Sequence, residues 1–432
     1  MKRSILYILS IVFSLFSFSC KQNQSDAIKV ETIPDTAAEA TSPYLTTDQH
    51  GNAVLCWTER SDADSLYRLK YAVYDDATRQ FGDAVTVTPS RGTKPSPESM
   101  NKVAFKSDGT VIAVFTRKFE NQENRFAGAI LYSSSTDQGT SWSEPQYLHS
   151  DTSHAYGRSY FDLARMNNGE IAGIWLDGRY GKADTGSALF FASTSKGKGF
   201  GNEKCIDRNT CECCRTDLLV ANDGKLHIAY RSIMFPDKLM GKQVRDMAYT
   251  SSDNNGQSFQ TVKTISHDNW AIEGCPHTGP SLAENGREVY ALWFTAGQTP
   301  GVYFNKCEGP ANNFTPRELQ SATARHPQLA GMKDGSLAMV WEEEAKLETA
   351  LSEKSSHQHG MAMSHDKKAS NARIFLKLLK DGKEQIQMDL TNGSQADNHA
   401  VLTPVDNGVL VAWVTEVENS SAIRYSFVQT NE

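Results

Sequence analysis

Seven times along the chain a short semi-apolar stretch runs into a turn ending in glycine, then into a second apolar stretch that closes on an aromatic residue. The copies run Tyr44 to Thr58, Lys102 to Thr116, Phe161 to Trp175, Thr216 to Tyr230, Gly279 to Trp293, Pro327 to Trp341 and Ala400 to Trp413. Their turn glycines are Gly51, Gly109, Gly169, Gly224, Gly286, Gly335 and Gly408, usually after Asp or Asn, as a tight hairpin with positive φ requires. Each copy predicts a β-hairpin. Further apolar stretches between copies, such as Ala129 to Ser133 and Met247 to Thr250, predict a third strand, so a unit of roughly 55 residues with about four strands recurs. This repeat predicts an all-β fold, a β-propeller of four-stranded blades. The last copy runs out after one more strand, Ile423 to Val428, and Ile28 to Ile33 can supply the missing fourth strand and close the ring without an exposed edge. That arrangement favours seven blades; with six, one terminal copy would only complete a neighbour.

Ahead of the repeats, Lys2 and Arg3 precede an apolar run from Ile5 to Phe18, and Ser19 precedes Cys20. This is the pattern of a lipoprotein-type signal peptide, 1–20, with Cys20 as the lipidated residue and 21–27 as a polar tether. Residues 28–432 are then one propeller, carried on a lipid anchor at a bacterial membrane, the outer membrane favoured, and facing periplasm or exterior. Plain secretion is the fallback, because Ser17 stands where a lipobox usually has an aliphatic residue. The net charge of −7 and the lack of a basic cluster interleaved with aromatics argue against a nucleic-acid partner, and the chain reads as monomeric.

The segment Ser135, Asp137, Gly139 and Trp142 reads SxDxGxxW; Ser252, Asn254, Gly256 and Phe259 repeat it with Asn for Asp, and Ser193, Ser195, Gly197 and Phe200 give a degenerate third copy. These resemble the Asp boxes of sialidases and related propellers, and the resemblance covers essentially the whole chain after the anchor. It implies turns on the outer side of the blades and speaks for fold, since one fold hosts many functions. The resemblance also implies a carboxylate-binding arginine triad, a Tyr/Glu nucleophile and an acidic proton donor. Arg215, Arg231 and Arg245 are candidates for the cationic cluster and Asp162 or Asp177 for the acid, although the usual opening Arg-Ile-Pro motif is absent.

A second constellation is more specific to this chain. CxCC places Cys211, Cys213 and Cys214 just before the fourth hairpin, and CPH places Cys275 and His277 just before the fifth. His326 and His399 stand nine residues ahead of their turn glycines, and Met100 and Tyr160 occupy the matching positions of earlier blades. His277 has the same spacing, but Leu282 suggests that it sits two residues earlier in register. Inner strands of a propeller start at one mouth, so Cys213, Cys214, Cys275, His277, His326 and His399 are expected to face a common space. Thiolate, imidazole and thioether suit copper, with zinc as the alternative. An insertion at 344–372 carries His357, His359, Met361, Met363 and His365, the composition of an auxiliary copper-collecting loop on the same face. The competing use of the sulfurs is disulfide formation, Cys205 with Cys211 or Cys213 and Cys275 with Cys213 or Cys214.

Two function classes follow, with a bland third. One is a metal-handling protein or metalloenzyme with a metal-trafficking partner. Another is a sialidase-type hydrolase acting on acidic glycans. The third is a scaffold that binds glycan or protein without chemistry. Asp177, Arg179, Asp246, Trp270 and Trp293 are expected to wall the mouth.

Overall fold

The computed structural model describes residues 28–34, 39–181, 183, 185–286, 288–309, 313–344, 372–417 and 420–430. Within them seven antiparallel sheets stand in a ring, six of them built in sequence order from the inside outward. The inner strands are Ala40–Thr47, Lys102–Phe105, Arg158–Arg165, Asp217–Val220, Ser281–Glu284, Ala324–Gly331 and Ala396–Val405, and each lies beside the next around the axis. Every predicted hairpin joins an inner strand to its second strand. The seventh blade takes its outermost strand from the other end of the chain: Glu31 pairs with Tyr425 and Thr32 with Arg424. The ring closes as the pattern predicted, and the seven-bladed reading holds.

The recurring aromatic at the end of each hairpin explains why the blades stay together. Trp57, Phe115, Trp175, Tyr230, Trp293, Trp341 and Trp413 are all buried, and each sits in a separate apolar cluster shared by two neighbouring blades. A buried indole still needs an acceptor for its N–H. Each of the five tryptophans finds a carboxylate: Glu59 at 2.9 Å, Asp177 at 3.3 Å, Asp268 at 2.8 Å, Glu343 at 2.7 Å and Asp397 at 3.1 Å, in chain order. Trp293 therefore belongs to the blade core and not to the wall of the mouth.

Asp boxes take the predicted place between third and fourth strands. Ser135 Oγ receives the Gly139 N–H at 2.8 Å, Asp137 receives the Ser141 N–H at 2.9 Å, and the Trp142 indole donates to the Gly139 carbonyl at 3.1 Å. The second box repeats this: Gly256 N–H to Ser252 Oγ at 3.0 Å, Ser258 N–H to Asn254 at 2.9 Å, and Phe259 edge-on to Phe191. In the degenerate copy Ser195 pairs with Lys198, and Phe200 packs edge-on against Tyr132.

Beneath the mouth, inner-strand side chains join neighbouring blades. Lys102 and Asp162, 2% and 6% exposed, are 2.7 Å apart, and Asp162 also accepts from Tyr44 at 3.2 Å and from the Leu218 N–H at 2.9 Å. With so many partners in the channel lining, Asp162 serves as a structural tie and not as the proton donor considered for it. The His/Met-rich insertion lies between Leu337–Glu344 and Ala372–Lys380, the second and third strands of the sixth blade, as predicted. Glu344 and Ala372 still pair as strand residues; His357, His359, Met361, Met363 and His365 lie outside the described residues, as do Cys20 and the tether.

Neutralising Asp162 would strand a buried ammonium, a change that costs about 3 kcal/mol or more. Asp162→Asn is expected to lower the denaturant midpoint accordingly; a loss under about 1 kcal/mol would show that the Lys102 pair is not a structural tie.

Candidate functional site

The mouth is shaped by a repeated backbone irregularity. Inner strands one, three, six and seven each slip register near their start, between Thr41 and Tyr44, Ser159 and Asp162, Arg325 and Gln328, and Asn398 and Val401. At each slip one non-glycine residue takes positive φ: Ser42 at 57°, Tyr160 at 52°, His326 at 47° and His399 at 53°. A left-handed L-residue costs about 1 kcal/mol, so a recurrence in four blades marks a conformation that the ring itself enforces. Tyr160, His326 and His399 are positions matched above by their nine-residue spacing, and Ser42 stands nine residues before Gly51. Arg215 and Gly279 occupy the same level in the fourth and fifth blades, where the strands come so close that a Cβ on Gly279 would meet the Arg215 carbonyl at 2.2 Å. His277 sits two residues earlier, as its register suggested; it is exposed.

The predicted ligand set divides into two groups. His326 and His399 converge on Glu342, which was not predicted. Glu342 follows Trp341, so strand alternation turns it away from the blade core; that alternation was the available signal. His326 Nδ1 is 2.8 Å from Glu342, the His399 backbone N–H donates to the same carboxylate at 2.6 Å, and the two imidazoles are 5.0 Å apart. Burial opposes charge on His326, but Glu342 outweighs it and lifts the pKa to about 9. Burial likewise opposes charge on Glu342, and the two histidines prevail, holding it down at about 2. His399 is pushed down by burial and by its charged neighbour, against the pull of Glu342, and its buried Nδ1 has no hydrogen-bond partner among the described residues. The same carboxylate thus favours charge on His326, while burial disfavours it on His399. Arg215 closes this group, ion-paired with Glu98 at 3.4 Å and donating to the Pro327 carbonyl at 3.0 Å.

The other group is sulfur. Cys211, Cys213 and Cys214 are buried, with Cys211 Sγ 3.7 Å from Cys213 and 3.5 Å from Cys214. Cys213 also interacts with Cys275. The thiols of Cys213 and Cys214, then the Arg245 guanidinium at 3.1 Å, push the Cys211 pKa down. None of the seven described cysteines is in a disulfide, so the bridges of Cys205 and Cys275 weighed as the competing use of the sulfurs are absent among the described residues; Cys205 is exposed on an outer strand. Cys211 is thus a member of the sulfur group that the six predicted ligands omitted.

The arginine candidates do not share one target. Arg231 donates to the carbonyls of Arg245, Thr278 and Phe294 at 2.8, 3.2 and 2.9 Å and stacks on Trp270 at 4.8 Å, while Arg245 serves Cys211 and Glu212. Asp177 is fully buried between Arg158 at 3.0 Å and Arg179 at 2.7 Å, and Asp246 caps the backbone of Asn269 and Trp270. Neither acid faces open space.

Seven blades around one axis, Asp boxes between third and fourth strands and a polar channel mouth define a sialidase-like β-propeller. Residues 62–303, more than half of the chain, match the BNR repeat-like domain, and the chain belongs to that family. Among solved structures, its fold is similar to that of the polysaccharide lyase Uly1, with a TM-score of 0.52 and 10% identity over 93% of this chain and 91% of that one. It is also similar to a PL25 ulvan lyase bound to -[GlcA(1-4)Rha3S]-, with a TM-score of 0.53 and 12% identity over 91% of this chain and 94% of that one. A Trypanosoma rangeli sialidase in complex with the inhibitor DANA matches at a TM-score of 0.46 and 11% identity, over 92% of this chain and 57% of that one. No curated protein sequence matches the chain.

Asp177 and Glu203 give the third blade a defined acid response. Burial works against charge on both, and Arg179 overcomes it, so both carboxyls titrate below their usual range. A depressed folded pKa contributes stability that is present above the unfolded value, about pH 4, and is lost as pH falls through the folded one. Arg179→Met is expected to lower stability at neutral pH and to flatten the acid limb of a stability profile below about pH 5. A limb as steep as that of the unaltered protein would remove Arg179 as its source.

Proposed function

We propose that the protein holds a soft transition-metal ion at the channel mouth on Cys211, Cys213 and Cys214, with Cys275 as fourth ligand and copper(I) as the first candidate, zinc as the second. The observation that carries this reading is the sulfur spacing. Metal–sulfur bonds of about 2.3 Å in a tetrahedral site put the sulfurs about 3.8 Å apart, and Cys211 lies 3.7 and 3.5 Å from its neighbours. A disulfide needs about 2.05 Å. The Arg245 guanidinium beside Cys211 supports the reading further, because it offsets the negative charge that several thiolates bring to one ion. His326 and His399, with Glu342, form a separate group able to take a harder ion. The function is metal handling in the bacterial envelope, on a lipid at Cys20, where the His/Met-rich insertion collects copper and a trafficking partner exchanges it.

Elemental analysis of the full chain, isolated from membranes without chelator, is expected to give about one copper or zinc per chain. Cys211→Ser with Cys214→Ser should lower this to below about a tenth, His326→Ala with His399→Ala should leave it, and Cys20→Ser should move the protein out of the membrane fraction. Protein whose thiols titrate as disulfides, or that stays empty after reduction and exposure to Cu(I) and Zn(II), would end the metal reading.

A second reading is favoured by the Arg215, Glu98, His326, Glu342 and His399 group: an enzyme acting on acidic glycans, with His399, whose pKa burial lowers, as base and His326, whose pKa Glu342 raises, as acid. Two polysaccharide lyases with the same fold lend it context. Turnover is expected on at least one uronate- or sialate-containing glycan in a broad panel, with kcat reduced about 100-fold or more in His399→Ala and metal content unchanged. Silence across that panel would sink it.

A further inference from the structure

The second and third blades are separated at the mouth by a cleft of about 240 Å³ whose lining neither reading uses. Five cations line it: Arg158, which is ion-paired with Asp151 and Asp177, and the four Lys94, Arg117, Lys118 and Arg125; Phe126 and Tyr160 join them, and no acidic side chain does. Among the described residues none of those four makes an ion pair, on a chain whose net charge is −7. Solvated lysines are ordinary on any surface; four unpaired cations lining one concavity without a carboxylate are not.

Phe126 adds a second, independent observation. It is 70% exposed, yet its loop is fastened: Asn121 and Asn124 donate to the carbonyls of His154 and Ala155 at 2.9 Å each, and Phe119 stacks on His154 at 3.6 Å. Gly157 packs so closely beneath that a Cβ there would lie 3.0 Å from the Phe126 carbonyl. A large aromatic held out into solvent by a rigid loop, with the Arg125 guanidinium 4.7 Å above its ring, is a preorganised stacking surface.

We propose that this cleft binds an anionic glycan: a sugar ring bearing carboxylate or sulfate seats among the cations and stacks on Phe126, and its chain runs past Tyr160 to the channel mouth. The size favours a glycan over a nucleic-acid duplex. At about 240 Å³ the cleft falls below the roughly 300 Å³ where pockets for drug-sized ligands begin, so it admits one substituted ring and not a double helix. Binding here shares its ligand class with the second reading but requires neither the metal nor turnover, so it is measured separately from both.

Calorimetry on the full chain with heparin hexasaccharide, hexagalacturonate, neutral dextran and oligothymidylate tests it. Heparin or hexagalacturonate, or both, should bind while dextran does not, and whichever binds identifies sulfate or carboxylate as the anion. Lys118→Glu with Arg125→Glu should weaken binding by about tenfold or more, and so should Phe126→Ala, while Lys383→Glu on a distant outer strand changes it little. If the charge reversal does not fold, Lys118→Ala with Arg125→Ala replaces it. The proposal is overturned if neither anionic glycan binds better than dextran, if the cleft variants bind as the unaltered protein does, if Lys383→Glu weakens binding equally, or if oligothymidylate binds as tightly as the glycans.

Discussion

At each boundary from the third blade to the seventh, the inner strand receives a side chain of the preceding blade that accepts one of its backbone N–H groups, and the geometry of the mouth depends on that stitching. Asp162 takes the Leu218 N–H at 2.9 Å, Asp217 takes that of Leu282, Ser281 takes that of Leu329 at 3.0 Å, and Glu342 takes that of His399 at 2.6 Å. Inner strands of a propeller do not hydrogen-bond to each other as a sheet, so their inward N–H groups need such partners. Four consecutive boundaries, from the third blade to the seventh, are closed in this way. At the seventh the N-terminal strand completes the ring, and the apolar clusters with their seven aromatics then hold every blade to its neighbours.

With the strands locked at these heights, the first residues of each strand are presented to the axis at one level. The positive-φ bulge at Ser42, Tyr160, His326 and His399 is the local consequence. The same stitching explains why the chemistry divides into two. Glu342 is both a stitch and the anchor of two imidazoles, which draws His326 and His399 together. The cysteines instead follow a loop that enters the fourth blade from the long outer strand Lys198–Thr210, and there they meet each other, Arg245 and Cys275. Sulfur and imidazole share a mouth without sharing a centre.

Candidate groups that failed to converge did so for one reason: the fold uses them. Arg231 secures three carbonyls, Asp177 neutralises two arginines beneath a tryptophan, and Asp162 joins the second blade to the third and fourth. A buried ionic group must be satisfied; the partner comes from the neighbouring blade for Asp162 and from within the third blade for Asp177. By contrast Lys94, Lys118 and Arg125 stay unpaired among the described residues because no acid of the adjacent blade reaches their cleft.

Whatever rests on short-range chemistry was legible in the chain itself. Asp-Gly and Asn-Gly turns dictate hairpins, the aromatic at each strand end dictates a blade core, the Asp boxes dictate their own turns, and an unfinished last repeat dictates closure by Ile28 to Ile33. Strand period and turn spacing also placed His326, His399 and Tyr160 at equivalent heights, because those rules are local. Only the tertiary structure decided that Glu342 and Glu98 complete the histidine and arginine group, that Cys211 belongs with Cys213 and Cys214, and that the three arginines have separate duties. The longest of those pairings join residues from different blades, as Glu98 with Arg215 does across 117 positions, and they form only once the closed ring has set the distance between strands.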